Sequence, residues 1–317
     1  MKIYLRSTVS LIACASIGIV GACDPASETK QDWRANLPEI SGERALKLLE
    51  EFLAIGPRPS GSEGAAAAAR WIAQEARRRG ADVNIDEWRE ETAAGAMTFR
   101  NVAATLPGNK PGRIILGSHY DTKNLPGIPD FQGANDSGSS TALLLMLITA
   151  LDSIPAQERC TLEFVFFDGE ECIDSYGPKD GLHGSRYHAR RIKNQDAVDE
   201  CRAMILLDMV GDRDLRITIP PESDSKLARE LFAIAERQGV REQFGYFQRG
   251  SILDDHVPFA ELGIPAINLI DFDYGPGNSY WHTAEDTIDK ISAASLHIVG
   301  NVALELAAEL AVQDMDE

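Results

Sequence analysis

Five side chains able to hold a metal ion stand at or just beyond the expected ends of strands or in loops: His119 in GSHYDTK, Asp136 in GANDSGSS, Glu171 in FFDGEEC, Asp208 in ILLDMVGD and His282 in YWHTAEDT. Carboxylates and imidazoles suit a zinc ion. Any one of them alone reads as structural, a helix cap at Asp136 or a surface turn at Asp208. Five at comparable places in the chain point to a common site. The adjacent pair Glu170 and Glu171 follows an apolar strand, and two carboxylates held close need something cationic to compensate them. One can ligate the metal. The other can carry a proton, with its pKa tuned by the site. The alternative is a solvated loop with Glu170 turned outward.

Such groups converge only if strands end at a common edge. Leucines at helical spacing mark a helix over Ala45 to Ile55, and Ser60 with Glu63 reads as a capping box for an alanine-rich helix that runs through Arg78 and stops at Gly80. Strand-like runs follow at Ala81 to Trp88, Met97 to Leu106 and Arg113 to Gly117, the last one delivering His119. Helices are expected at Ser137 to Leu151, Gly184 to Lys193 and Ser223 to Gln238, with strands at Thr161 to Phe167, Ala203 to Val210 and Ile264 to Ile270. A long amphipathic helix, Ser292 to Val312, closes the chain. This alternation is that of an α/β protein, in which ligands bind beyond the carboxyl ends of the strands.

At 317 residues and 44% apolar content the chain can bury one large core. Lys2 and Arg6 before the apolar run Ser7 to Val20 read as a signal peptide, and Val20-Gly21-Ala22-Cys23 as a lipobox ending in a lipidated Cys23. The expected division is a leader at 1–22, a tether at 23–39 and a catalytic domain at 40–317, exported to a bacterial cell envelope and held to membrane only by its lipid. Cys160, Cys172 and Cys201 then remain, enough for at most one disulfide, and without a Cys-x-x-Cys spacing for zinc. A net charge of −18 disfavours nucleic acid. Nucleophilic hydrolases and phosphate-loop enzymes are poor candidates, since neither a GxSxG elbow nor a phosphate loop is present.

GSHYDTK, GANDSGSS, FFDGEE, LLDMVGD, DDHVPF and WHTAEDT occur in the order and approximate spacing of the M28 zinc-peptidase superfamily, which the chain resembles over residues 43 to 312. The resemblance implies a single α/β/α domain with a mixed, mostly parallel central sheet of the zinc-aminopeptidase type. Two branches differ in chemistry: aminopeptidases with two zinc ions and glutaminyl cyclases with one. The segment GPRPSGSEGAAAAARWI, the long spacer in FFDGEECIDSYGPKDGLHGSR, and Trp281 directly before His282 resemble animal-type cyclases.

In that branch Asp136, Glu171 and His282 would hold one zinc, and Glu170 would pass a proton from the attacking α-amine to the leaving ammonia. Asp208 would stabilise the amine side of the intermediate, with Asp254 hydrogen-bonded to it. Trp281 would wall the glutamine pocket. Tyr176 stands where the cyclase pattern often has Trp, and the loop Asp271 to Tyr280 is longer than that pattern. Asp121 would orient an imidazole, and His256 would lie in the shell around the site. His183, His188 and His297 read as ordinary surface or core residues. The expected substrate is a peptide or protein N-terminus and the expected state a monomer. In the aminopeptidase alternative, His119 and Asp208 would serve a second metal and Glu170 would activate a bridging water. A third alternative is a binding module that kept the fold without the chemistry.

Overall fold

The structure is a computed structural model that describes residues 33–92 and 94–314. The expected signal peptide and Cys23 lie outside the described residues. Eight strands, β1 (Asp82–Thr92), β2 (Gly95–Leu106), β3 (Lys110–His119), β4 (Cys160–Phe167), β5 (Cys201–Asp208), β6 (Ile217–Ile219), β7 (Phe244–Tyr246) and β8 (Ala266–Ile270), form one sheet. Their order is β1-β2-β4-β3-β5-β8-β6-β7. Parallel pairing joins β4, β3, β5 and β8 at the centre, whereas β1, β2 and β4 pair antiparallel on one flank. On the other flank β6 runs antiparallel to β8 and parallel to β7.

The helices are α1 (Trp33–Asn36), α2 (Gly42–Leu53), α3 (Glu63–Arg78), α4 (Ser140–Leu151), α5 (His183–Asn194), α6 (Ser225–Arg237), α7 (Val257–Ala260) and α8 (Ala293–Val312). Strand alternation sorts the core onto both faces of the sheet. Ile114, Leu116, Phe164, Phe166, Ile205 and Leu207 share a cluster with Leu49 of α2, Ile72 of α3, Leu144 of α4, Leu231 of α6 and Val302 of α8. Their strand neighbours Ile115, Val165, Phe167, Met204 and Leu206 turn the other way, onto Ile192 of α5 and Phe259 of α7. The central strands are apolar on both sides because both faces are covered.

Four expectations change. Ser60 does not cap α3. Ser62 does, its hydroxyl accepting from the Ala65 amide at 3.0 Å, while Ser60 is drawn to two buried carboxylates. Helix α8 is apolar on most of its surface rather than amphipathic, since α2, α4 and α6 all pack against it. Among the described residues it alone has the length and apolarity to cross a membrane, and its burial in the core accounts for that character. The stretch read as tether is partly packed: Trp33 and Leu37 lie against the main core, and Arg34 meets Glu309 at 3.0 Å. The compact unit therefore starts at Trp33. Finally, α4 begins at Ser140 rather than Ser137, because Ala134–Ser139 form a wide, irregular turn in which Asp136 and Ser137 leave helical geometry. Strands β6 and β7, three residues each, are too short to show a period in sequence.

Candidate metal centre and active site

All five expected metal-binding side chains converge at the carboxyl edge of the central parallel strands. His119 is the last residue of β3 and Asp208 the last of β5, while Glu170 and Glu171 follow β4, and His282 comes from the loop after β8. Asp136 sits in the turn before α4, with Gly133 at φ 54°, where a Cβ would come within 2.3 Å of the Asp136 carbonyl oxygen. The peptide between Asp136 and Ser137 is cis.

Two trios of ligand atoms share Asp136. One is Asp136, Glu171 and His282, and the other is His119, Asp136 and Asp208; within each, the ligand atoms all lie within 4.8 Å of one another. His282 Nε2 stands 3.1 Å from both Asp136 Oδ2 and Glu171 Oε1. His119 Nε2 stands 3.2 Å from Asp136 Oδ1 and 3.4 Å from Asp208 Oδ1, without hydrogen-bond geometry to either. Among the described residues Glu171 Oε2 and Asp208 Oδ1 are likewise buried with no hydrogen-bond partner, although Lys123 Nζ stands 3.7 Å from Glu171 Oε2. Carboxylate and imidazole ligand atoms gathered this closely, several of them without a hydrogen bond, fit a bound divalent metal.

The charge balance agrees with that fit. Burial opposes ionisation of Asp136, yet the imidazoles of His119 and His282 hold its carboxyl well below the usual range. Burial would depress His282, but Asp136 and Glu171 raise it to about 10. Glu170 is pushed well above the ordinary carboxylate value, first by burial and then, against the pull of His119, by Glu171 and Asp254. Asp208 is raised to about 7 by burial and by Asp254. Asp136 is thus the carboxylate held charged, while Glu170, Glu171 and Asp208 are each pushed toward the protonated form by burial and neighbouring acids, a crowding that a bound cation would relieve.

Behind these groups lies a layer of hydrogen bonds. Asp121 accepts from the amides of Glu170 (3.2 Å) and Glu171 (3.3 Å), and its Oδ1 is 3.4 Å from His119 Nδ1. It therefore anchors both glutamates as well as facing the imidazole. Ser60 bridges Asp121 (3.2 Å) and Asp168 (2.7 Å), and Asp168 also accepts from the Arg100 amide. Asp286 receives the amides of Asn135 and Asp136 at 2.7 and 3.2 Å and the Tyr274 hydroxyl at 2.8 Å. The fully buried Arg58 donates to the carbonyls of Gly56, Tyr120, Gln132 and Gly133, which pins the Asp136 turn to the end of β3. These anchors escaped the sequence reading. Asp286 lies within WHTAEDT and Arg58 within GPRPSG, but nothing in those motifs says that backbone amides would be their partners.

A cleft of about 420 Å³ opens over Asp136, Glu170, Glu171, Asp208 and His282. Its sides carry Phe247, Phe272, Ile252 and Trp281, and Tyr176 stands at its mouth. The Trp281 ring stacks on His282 at 4.1 Å between centroids, so it both lines the cleft and braces a ligand. Asp254 accepts from Asn268 Nδ2 and the Asp255 amide, both at 2.6 Å. Among the described residues His256 is fully buried before α7, and neither of its ring nitrogens has a hydrogen-bond partner. Burial lowers its pKa to about 4. His183 is buried and stacks on Phe99, and His188 is buried between Phe167 and Phe259, whereas His297 is part-exposed and bonded to Ile40. Cys160, Cys172 and Cys201 are free thiols.

The fold and this ligand set define a class. The chain belongs to peptidase family M28, whose profile matches residues 101–307. It is 30% identical over 277 residues to a glutaminyl-peptide cyclotransferase-like protein of Mus musculus, spanning 80% of this chain and 72% of that one. It is 31% identical over 265 residues to the glutaminyl-peptide cyclotransferase of Drosophila melanogaster, spanning 75% and 73%. Among solved structures, the glutaminyl cyclase of an Acidobacteriales bacterium superposes with a TM-score of 0.80 at 35% identity, covering 86% of this chain and 96% of that chain. Within the family, the chain groups with the glutaminyl-peptide cyclotransferases.

Proposed function

We propose that the protein is a zinc-dependent glutaminyl-peptide cyclotransferase that converts an N-terminal glutamine to pyroglutamate and releases ammonia. The observation that carries this reading is the placement of a buried Glu170 directly beside the trio Asp136, Glu171 and His282, in a cleft of about 420 Å³ lined by Phe247, Phe272 and Trp281. That trio would hold the zinc ion, which when bound would supply Lewis-acid polarisation of the glutamine side-chain amide. The chain's own groups do the rest. Phe247, Phe272 and Trp281 hold the aliphatic part of the glutamine and exclude water, which would otherwise compete with the α-amine as nucleophile. Glu170 takes the proton from the attacking α-amino nitrogen and delivers it to the departing amide nitrogen. The C–N bond of the lactam forms, the bond to the leaving nitrogen breaks, and one proton moves between the two nitrogens.

The trio of His119, Asp136 and Asp208 is what a co-catalytic aminopeptidase would use for a second metal. The cyclotransferase relatives weigh against that use. Zinc-loaded protein is expected to release ammonia from a Gln-initiated peptide and no free leucine from leucine amide. Leucine release without ammonia would reverse the assignment.

For the N-terminal segment, the lipobox reading of Cys23 supports a lipid-anchored, exported protein. Cys23→Ser should move the protein from the membrane fraction to the soluble fraction, because one lipid chain set is the only strong apolar attachment proposed. Unchanged fractionation would count against the anchor.

A further inference from the structure

The loop between Glu171 and α5 is built around one side chain that the reaction as described does not use. The Asp180 carboxylate accepts the amides of Ile173, Asp174 and Ser175 at 2.5, 2.9 and 3.1 Å. The tip closes by the paired bonds between Gly177 and Asp180 at 2.8 and 3.2 Å. Arg186 donates to the carbonyls of Gly177 and Gly181, at 2.6 and 3.1 Å. The return leg is tied to the strand end, with the Leu182 amide on the Glu170 carbonyl (3.0 Å) and the His183 amide on that of Gly169 (2.8 Å). Gly181 has φ 79°, and a Cβ there would come within 2.4 Å of the Tyr176 ring. Together these contacts hold the loop that carries the ring, which lines the cleft. Its hydroxyl then donates to Glu170 Oε1 at 2.8 Å.

We propose that Tyr176 is a positioning residue for Glu170: its hydroxyl fixes one carboxylate oxygen so that the other, Oε2, faces the substrate's α-amine and then its leaving nitrogen. This rests on the cyclotransferase reading. A glutamate side chain has three rotatable bonds, and proton transfer needs its acceptor within hydrogen-bond reach in both half-steps. Holding Oε1 removes the rotation that would let the carboxylate drift between them. A residue that merely walls the pocket would need the ring and not the hydroxyl, and it would need no loop that fixes the depth of the ring so closely.

The test is Tyr176→Phe, which keeps the ring, alongside Tyr176→Ala, which removes it, each assayed on a Gln-initiated peptide with bound zinc measured. The Phe variant should lose kcat by about 10-fold with KM within about 2-fold of the parent and zinc content unchanged. The Ala variant should show the same loss of kcat and a raised KM. An unchanged kcat in the Phe variant, or an effect on KM alone, would overturn the proposal. So would a fall in kcat accompanied by zinc loss, which would assign the hydroxyl to holding the fold of the site. If the parent protein itself released no ammonia, the cyclotransferase reading would fall and this proposal with it; that result is separable from the others because it appears before any substitution is made.

Discussion

Glu170→Gln is expected to cut ammonia release from a Gln-initiated peptide by roughly 10²- to 10⁴-fold, the range associated with loss of a general acid–base group. The substitution keeps the volume, and the amide oxygen can still accept from the Tyr176 hydroxyl, so the loop and the cleft stay in place. What disappears is the capacity to accept a proton and return it. Because Glu170 belongs to neither ligand trio, zinc content should remain that of the parent. Loss of zinc in this variant, measured by elemental analysis, would mean that Glu170 and Glu171 have been assigned each other's roles. Residual activity within a few-fold of the parent would remove Glu170 from the mechanism altogether.

Substitution of the two histidines should separate the trios that share Asp136. In the one-metal arrangement, His282→Ala removes a direct ligand and should weaken zinc binding by more than about 100-fold, beyond what loss of an outer partner costs. It also removes the ring against which Trp281 stacks, so substrate binding should suffer with it. His119→Ala should leave about one zinc per chain and lower the rate of ammonia release without abolishing it, since His119 then acts on the site through its neighbours Asp121, Asp136 and Asp208 rather than as a ligand. A parent protein that carries two zinc ions and drops to one on His119→Ala would show instead that the second trio is a working metal site. Metal content and ammonia release measured on the same preparations decide between the two.

Much of this site is legible in one dimension because its chemistry is carried by short motifs attached to strand ends. An apolar run that stops at His119, at Asp208 or before Glu170 announces both the strand and the residue it delivers, since a parallel sheet places such ends along one edge. The same regularity makes the central strands readable, and one-sided burial imposes the period of the helices α2, α3, α5 and α6, whereas α4 is legible only as a long apolar run. Amphipathicity failed for α8, where packing on most sides erases the polar face. Tertiary structure alone decided how the ligands are held. Asp286 and Arg58 act on backbone amides and carbonyls, groups that every residue possesses, so no pattern of side chains could forecast those partners. Ser60 has the spacing of a helix cap but bridges two carboxylates brought to it from β3 and β4, because satisfying buried charge outweighs a local cap that Ser62 can supply. Asp254, likewise, bonds to Asn268 on β8 because a carboxylate takes the nearest donor, and only the packed sheet determines which donor is near.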